Sequence, residues 1–428
     1  MLSILPRLFL AGSLLVALTA AAADGQPVID APASLLIDSD WRLAVRGLEP
    51  HATYVLQGEF VSRAGTVWRS DAMFPADANG VIDPAAVAPD EGTYGGVDPI
   101  GLVWSMTKTT DRQADASLFE SDDGSVVTVS VRRDAGVLAE RRIRLVKRQS
   151  GVSATDLREP FAGAFYAPYG GRKLPAVIVL GGSEGGIPRE QAALLASHGY
   201  AALALAYFGL PPLPNELDRV PVETVGKALQ WLAAQPAVDG SRIAIVGFSK
   251  GAELALIAAG KYAAIRATVA VAPASASFQS LRADRMATPS WTWQEKEVPF
   301  APFVASEAFT RSHRLSDLYI SALEAAPPDS AIAVEALHGP LLLIAGKRDA
   351  LWPSALMAGQ LLARAERTHA RVAVTNKQFD DAGHHAGHIP LRPTADSVRL
   401  GGSAAGNAHA QLESWREIVR FLSAALRK

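Results

Sequence analysis

Ile243-Ala244-Ile245-Val246 is an apolar run that ends in Gly247-Phe248-Ser249-Lys250-Gly251, and Ala-rich sequence follows at once. The run has the length and composition of a buried strand, and residues 251–259 those of a helix. A serine between two glycines at such a junction sits on a sharp strand-to-helix turn, because larger neighbours would bring Cβ atoms into collision. The turn lifts the hydroxyl above the carboxyl edge of a sheet, and the positive end of the next helix favours negative charge there. G-x-S-x-G alone arises often by chance, and a merely structural Gly-Ser turn would satisfy it. Strand before and helix after favour a nucleophile.

Outward from this turn, strand and helix alternate. Residues 176–180, 201–206, 267–271 and 341–344 read as further buried strands, with 372–374 a weaker one. Helices are expected over 191–198 and over 222–235, the latter with Val222, Val225, Leu229 and Leu232 on one face. A closing helix over 408–426 places Leu412, Trp415, Val419 and Leu422 at three- and four-residue spacing. Such alternation over residues 151–428 implies a mostly parallel, doubly wound α/β sheet covered on both faces. Two stretches interrupt it. Residues 275–336 are long, poorly periodic and carry Trp291, Trp293, Phe300 and Phe303, while 381–404 are rich in Gly and Pro. Both fall where an active-site lid or rim would be inserted.

Residues 24–150 read differently. Short alternating or β-branched segments (34–37, 42–45, 53–59, 67–72, 126–131) are separated by turn clusters such as Asp77-Ala78-Asn79-Gly80. This predicts an all-β, immunoglobulin-like sandwich. Its one histidine, His51, sits in a turn context, and residues 148–155 read as a polar linker. Residues 1–23 join one basic residue (Arg7), an apolar run over 8–18 and an Ala21-Ala22-Ala23 exit, the features of a secretory signal peptide. The expectation is an exported protein, periplasmic or secreted, with no stable membrane span once that segment is removed. A formal net charge of -2 gives no basic face for nucleic acid. Zero cysteines exclude disulfides, a thiolate nucleophile and cysteine-ligated metals.

A serine hydroxyl is a weak nucleophile near neutral pH and needs a base, with a further group to orient that base. In α/β-hydrolases the chain order is serine, acid, histidine. The strand at 341–344 runs into Ala345-Gly346-Lys347-Arg348-Asp349, which puts the Asp349 carboxylate just beyond a strand end. After 372–374 comes Asp380-Asp381-Ala382-Gly383-His384-His385-Ala386-Gly387-His388, a Gly-flanked loop able to reach over the sheet edge. Residue patterning leaves the base open among His384, His385 and His388. His384 and His388 also have the i, i+4 spacing of a metal pair, but two glycines disfavour a helix there and no metal is expected. The oxyanion of a tetrahedral intermediate needs two backbone N–H donors. One is Lys250, after the nucleophile; the other comes from Gly181-Gly182-Ser183-Glu184-Gly185-Gly186, with Ser183 preferred and Glu184 next. That loop fits neither G-x-G-x-x-G nor the P-loop, so no cofactor is expected.

At these residues the chain resembles the acyl-CoA thioester hydrolase / bile acid-CoA:amino acid N-acyltransferase family. The similar stretches are 46–50 (RGLEP), 92–94 (GTY) and 99–106 (PIGLVWSM) in the first domain. In the second they are 180–186 (LGGSEGG), 247–254 (GFSKGAEL), 346–354 (GKRDALWPS) and Ala382-Gly383-His384. The family's Ala-Gly-His triplet selects His384 as base, although Ala386-Gly387-His388 is a second copy. The resemblance implies cleavage of a small-molecule acyl thioester through an acyl-serine, with residues 291–303 a candidate rim for the acyl chain. Amidating members use cysteine, so this chain is expected to use water instead. An exported carboxylesterase and an N-acyltransferase are the alternatives, and the Ser-Asp-His set disfavours a non-catalytic binding scaffold.

Overall fold

The computed structural model describes residues 26–109, 120–170 and 173–427; the signal-like segment 1–23 lies outside the described residues. The N-terminal part is built on one large sheet. Its spatial order is Ser34–Leu36, Gly136–Val146, Gly124–Arg133, Thr53–Val61, Val67–Pro75, Glu91–Gly92, with Thr107–Lys108 also pairing Val67–Pro75. The opposing layer is small: Val28–Asp30 pairs Ala44–Arg46, and Val45 bridges Ile82. Alternation explains the pairing. Thr53–Val61 buries Tyr54, Leu56, Gly58 and Phe60, leaving Val55, Gln57 and Glu59 between them partly open. Gly136–Val146 is missing from the sequence expectation because Glu140-Arg141-Arg142 breaks the apolar alternation and only Ile143 and Leu145 are buried.

The second part is an eight-stranded sheet. Its strands are β1 (Val152–Leu157), β2 (Gly163–Pro168), β3 (Leu174–Leu180), β4 (Ala201–Leu205), β5 (Val238–Phe248), β6 (Ile265–Val271), β7 (Leu341–Gly346) and β8 (Val374–Phe379). They lie in the order β1-β2-β4-β3-β5-β6-β7-β8. β2 runs antiparallel to its neighbours β1 and β4, and every later pair is parallel. Two expectations are corrected here. The polar linker is shorter than 148–155, since Val152–Leu157 is already the edge strand. The weak strand at 372–374 is instead Val374–Phe379, whose half-exposed edge carries too many polar residues to read as a core strand.

Helices cover both faces because alternate strand residues point to opposite sides. Val177 and Val179 pack under Arg189–Ser197 and Ala404–Ala425, while Ile178 and Leu180 pack under Glu223–Ala233, Lys250–Lys261 and Ser354–Arg367. In Ala404–Ala425 the buried stripe is Leu412, Trp415, Ile418 and Leu422, so Ile418 replaces the expected Val419. The first of these cores is continuous with that of the N-terminal part, joining Tyr54, Phe74 and Leu102 to Ile389, Leu391 and Trp415. Truncating Trp415, fully buried in this shared core, to Ala would cost about 3–5 kcal/mol. Among the described residues, no helix is long and apolar enough to cross a membrane.

The long insertion lies between β6 and β7. Part of it is ordered by strand pairing: Trp291–Trp293 pairs Val220–Pro221 on one side and Lys296–Glu297 on the other. Trp291 is fully buried, which corrects its reading as an acyl-chain rim.

Candidate active site

Ser249 closes the turn between β5 and the helix Lys250–Lys261, with φ 55° and ψ -120°. A non-glycine residue held there carries strain of order 1–3 kcal/mol, and its surroundings enforce it. The Ser249 N–H donates to the Val271 carbonyl at 2.8 Å. The flanking glycines are obligatory for space: a Cβ on Gly247 would lie 2.1 Å from the Gly251 oxygen, and one on Gly251 2.1 Å from the Gly181 oxygen.

His384 spans the gap between serine and acid. Its Nε2 lies 2.9 Å from Ser249 Oγ, and its Nδ1 lies 2.9 Å from Asp349 Oδ2. Asp349 is fixed by its own loop: Oδ1 accepts from the N–H of Leu351 (3.0 Å) and Trp352 (3.2 Å), and Oδ2 also accepts from the Ser354 hydroxyl at 2.6 Å. Both side chains are buried, Asp349 at 1% and His384 at 6% exposure, so little water competes for these bonds. Backbone stitches tie the acid and base loops together. Asp349 bridges Gly401, Ala382 bridges Gly402, and the His384 N–H donates to the Leu400 carbonyl at 2.8 Å.

The other two histidines face elsewhere. The His385 and His388 rings stack at 3.7 Å, with no bond to Ser249 or Asp349. Burial, then the neighbouring His384, pushes His385 down to about 4, so it is neutral at physiological pH. His384 commits both ring nitrogens to Ser249 and Asp349, which leaves none for the metal pairing its spacing suggested.

The glycine loop after β3 lies against Ser249, since a Cβ on Gly182 would be 3.3 Å from Ser249 Cβ. Gly182 donates its N–H to Glu184 Oε1 at 2.8 Å, and Ser183 beside it is exposed. The Tyr207 hydroxyl donates to the carbonyls of Gly181 (2.7 Å) and Gly182 (3.1 Å); burial and then Glu184 raise it well above the usual tyrosine range, keeping the proton on. Sequence reasoning missed Tyr207 and Glu253, and it named Glu184 for its backbone N–H without foreseeing its side-chain bond to Gly182. Glu253 is buried one turn along the nucleophile helix. Its Oε2 meets Lys250 Nζ at 2.8 Å, and its Oε1 accepts from the Phe278 N–H (2.9 Å) and Trp291 Nε1 (2.7 Å). Lys250 Nζ also sits 5.5 Å from the centroid of the Trp291 ring. The alternation of Glu253 with apolar helix neighbours was the one available signal, a charge where the pattern demands a core residue.

A serine on the turn after β5, an acid after β7 and a histidine after β8, on a sheet in this strand order, define the α/β-hydrolase fold. Residues 38–159 match the acyl-CoA thioester hydrolase/BAAT N-terminal region, and residues 220–428 match the BAAT/acyl-CoA thioester hydrolase C terminal. The chain belongs to the family of acyl-CoA thioester hydrolases and bile acid-CoA:amino acid N-acyltransferases. It is 27% identical over 405 residues to peroxisomal succinyl-coenzyme A thioesterase of Mus musculus, covering 90% of this chain and 93% of that protein. It is 28% identical over 412 residues to bile acid-CoA:amino acid N-acyltransferase of Mus musculus, covering 91% and 96%. Among solved structures, a Pyrobaculum calidifontis esterase aligns with 64% of this chain and 84% of its own, at 20% identity and a TM-score of 0.37.

Proposed function

We propose that this protein hydrolyses acyl-CoA thioesters through an acyl-serine formed on Ser249. The observation that carries the reading is the unbroken relay from Asp349 through His384 to Ser249, 2.9 Å at each step. Ser249 Oγ attacks the thioester carbonyl while His384 Nε2 takes its proton. Asp349 keeps the Nδ1 proton in place and stabilises the imidazolium. Charge collects on the former carbonyl oxygen. Lys250 opens its helix, so its N–H has no acceptor within the helix and is one donor to that charge. Gly182 has given its N–H to Glu184 Oε1, so the second donor comes from the residues after it, with Ser183 preferred and Glu184 next. The imidazolium then protonates the sulfur as the C–S bond breaks, and the freed ring activates water against the acyl-serine.

Family membership supports CoA as the leaving group, and both mouse relatives carry CoA esters in their names. The absence of cysteine favours water over an amine, because an acyl-serine is an oxygen ester and less reactive to amines than an acyl-cysteine. The test is a panel of acyl-CoAs beside p-nitrophenyl esters of the same acyl groups. Higher kcat/KM on the CoA esters is expected; preference for the oxygen esters would replace this reading by a carboxylesterase. Export is part of the proposal, resting on the apolar run at 8–18 and the Ala21-Ala22-Ala23 exit. Protein from its native host should begin near Asp24, and intact Met1 in the soluble cytosol would overturn export.

A further inference from the structure

The loop that carries His384 has no helix or strand of its own between Phe379 and Ala404, so its position depends on what it is tied to. At its root, the His384 N–H is held by the Leu400 carbonyl at 2.8 Å. Its far side is held by the N-terminal domain. Arg392 pairs with Glu120 of that domain and, at 2.7 Å, with Glu190 of the hydrolase domain. Lys147, fully buried, reaches the same two carboxylates at 2.7 Å and 2.8 Å. Two residues on, Thr394 donates its N–H to the Trp104 carbonyl at 3.0 Å. Between these ties Leu391 is buried at φ 51°, a conformation that a branched residue keeps only where its surroundings impose it. Burial alone would raise the Glu190 carboxyl, but Arg392 and Lys147 hold it below the usual range. A desolvated cluster of this kind is weak evidence for stability. Its geometric effect is firm: it fixes Arg392, and with it the loop, against a rigid wall.

We propose that the N-terminal domain acts on catalysis by clamping the histidine loop, with Arg392 and Glu120 as positioning residues for His384. The proposal rests on the Ser249–His384 reading above. Neither residue touches substrate; the pair sets the His384–Ser249 separation, and misplacement on the order of 1 Å costs about a hundredfold in rate.

Arg392→Met and Glu120→Gln, with Arg392→Lys as the conservative variant, test it in the full-length protein. Three quantities are read: kcat and KM on the best acyl-CoA, the rate at which a fluorophosphonate labels Ser249, and the melting temperature. Arg392→Met should lower kcat and labelling together by about tenfold to a hundredfold with KM within about threefold, because only transition-state alignment is lost. Arg392→Lys should recover most of the rate, and Glu120→Gln should show a smaller loss of the same kind. Folded variants with kcat and labelling within about twofold of wild type would overturn the proposal; so would losses that track only the fraction of folded protein. If Arg392→Met fails to fold, Glu120→Gln decides by the same criterion. An active Ser249→Ala would sink the catalytic reading itself, whereas an inert Ser249→Ala beside unaffected clamp variants would sink the clamp alone.

Discussion

Asp349→Asn alters one atom, and the surrounding donors dictate which way the new amide faces. Oδ1 accepts two backbone N–H groups, from Leu351 and Trp352, and a backbone donor cannot reverse its role. The Asn carbonyl therefore stays there, and its NH2 takes the place of Oδ2 against His384 Nδ1 and the Ser354 hydroxyl. The hydroxyl can rotate to accept. The imidazole can accept only by moving its proton to Nε2, where it points at Ser249 Oγ and can no longer take the serine's proton. Flipping the amide back would set its NH2 against two N–H donors, stranding groups at about 1–3 kcal/mol each, so the unproductive arrangement dominates by about 2–6 kcal/mol. Loss of the carboxylate's stabilisation of the imidazolium adds to this. We expect kcat to fall about 10⁴-fold, or about 5 kcal/mol, with little change in KM. Release of CoA can be followed with a thiol-reactive chromophore, and the chain has no cysteine to give a background signal. A folded Asp349→Asn enzyme keeping more than a tenth of wild-type turnover would refute the orienting role.

Ser249→Ala should lose several orders of magnitude in turnover, leaving a residue of roughly 10³ over water from binding and the oxyanion donors; retention of a tenth of the rate counts against the nucleophile. His384→Ala should be as inert as Ser249→Ala, since members of one relay are not additive, while His385→Ala and His388→Ala keep substantial turnover in the same thioester assay. An inert His388→Ala beside an active His384→Ala would make the second Ala-Gly-His triplet the functional one. His385 binds its proton less readily folded than unfolded, so the unfolded chain holds more protons between about pH 6.5 and 4 and stability falls as pH drops through that window. His385→Gln should flatten that slope in melting temperature against pH, and an unchanged slope would show that other groups set it.

The turn that holds Ser249 was legible because everything that makes it is local: a strand, two glycines with no room for a Cβ, and a helix. The position of Asp349 was legible for the same reason, lying three residues past the end of β7. Which histidine meets Ser249 was only half legible. Three histidines share one loop, and His384 is set beside Ser249 by backbone ties to Leu400, Gly401 and Gly402, which no periodicity encodes. The strand Gly136–Val146 escaped and β8 was read short because few or none of their residues are buried, so burial did not write an alternating pattern into them. The clamp was invisible: Arg392 and Glu120 lie 272 residues apart, and each alone reads as a solvated charge.

Glu253 divides the insertion into two parts with different freedom to change. By holding Phe278 and Trp291 it welds residues near 275–303 to the nucleophile helix, and the Ser277 carbonyl and Gln279 side chain bind Ala301 and Phe303 to the same unit. Beyond that point Glu307–Ser312 buries no residue at all. Exchange of segments between sequences of this architecture should therefore succeed when the graft is confined to residues 306–312, since Tyr319 beyond them packs again on Phe278 and Phe303. A graft that begins at β6 would carry away Phe278 and Trp291 and leave Glu253 Oε1 without its two donors in a dry core beneath the serine.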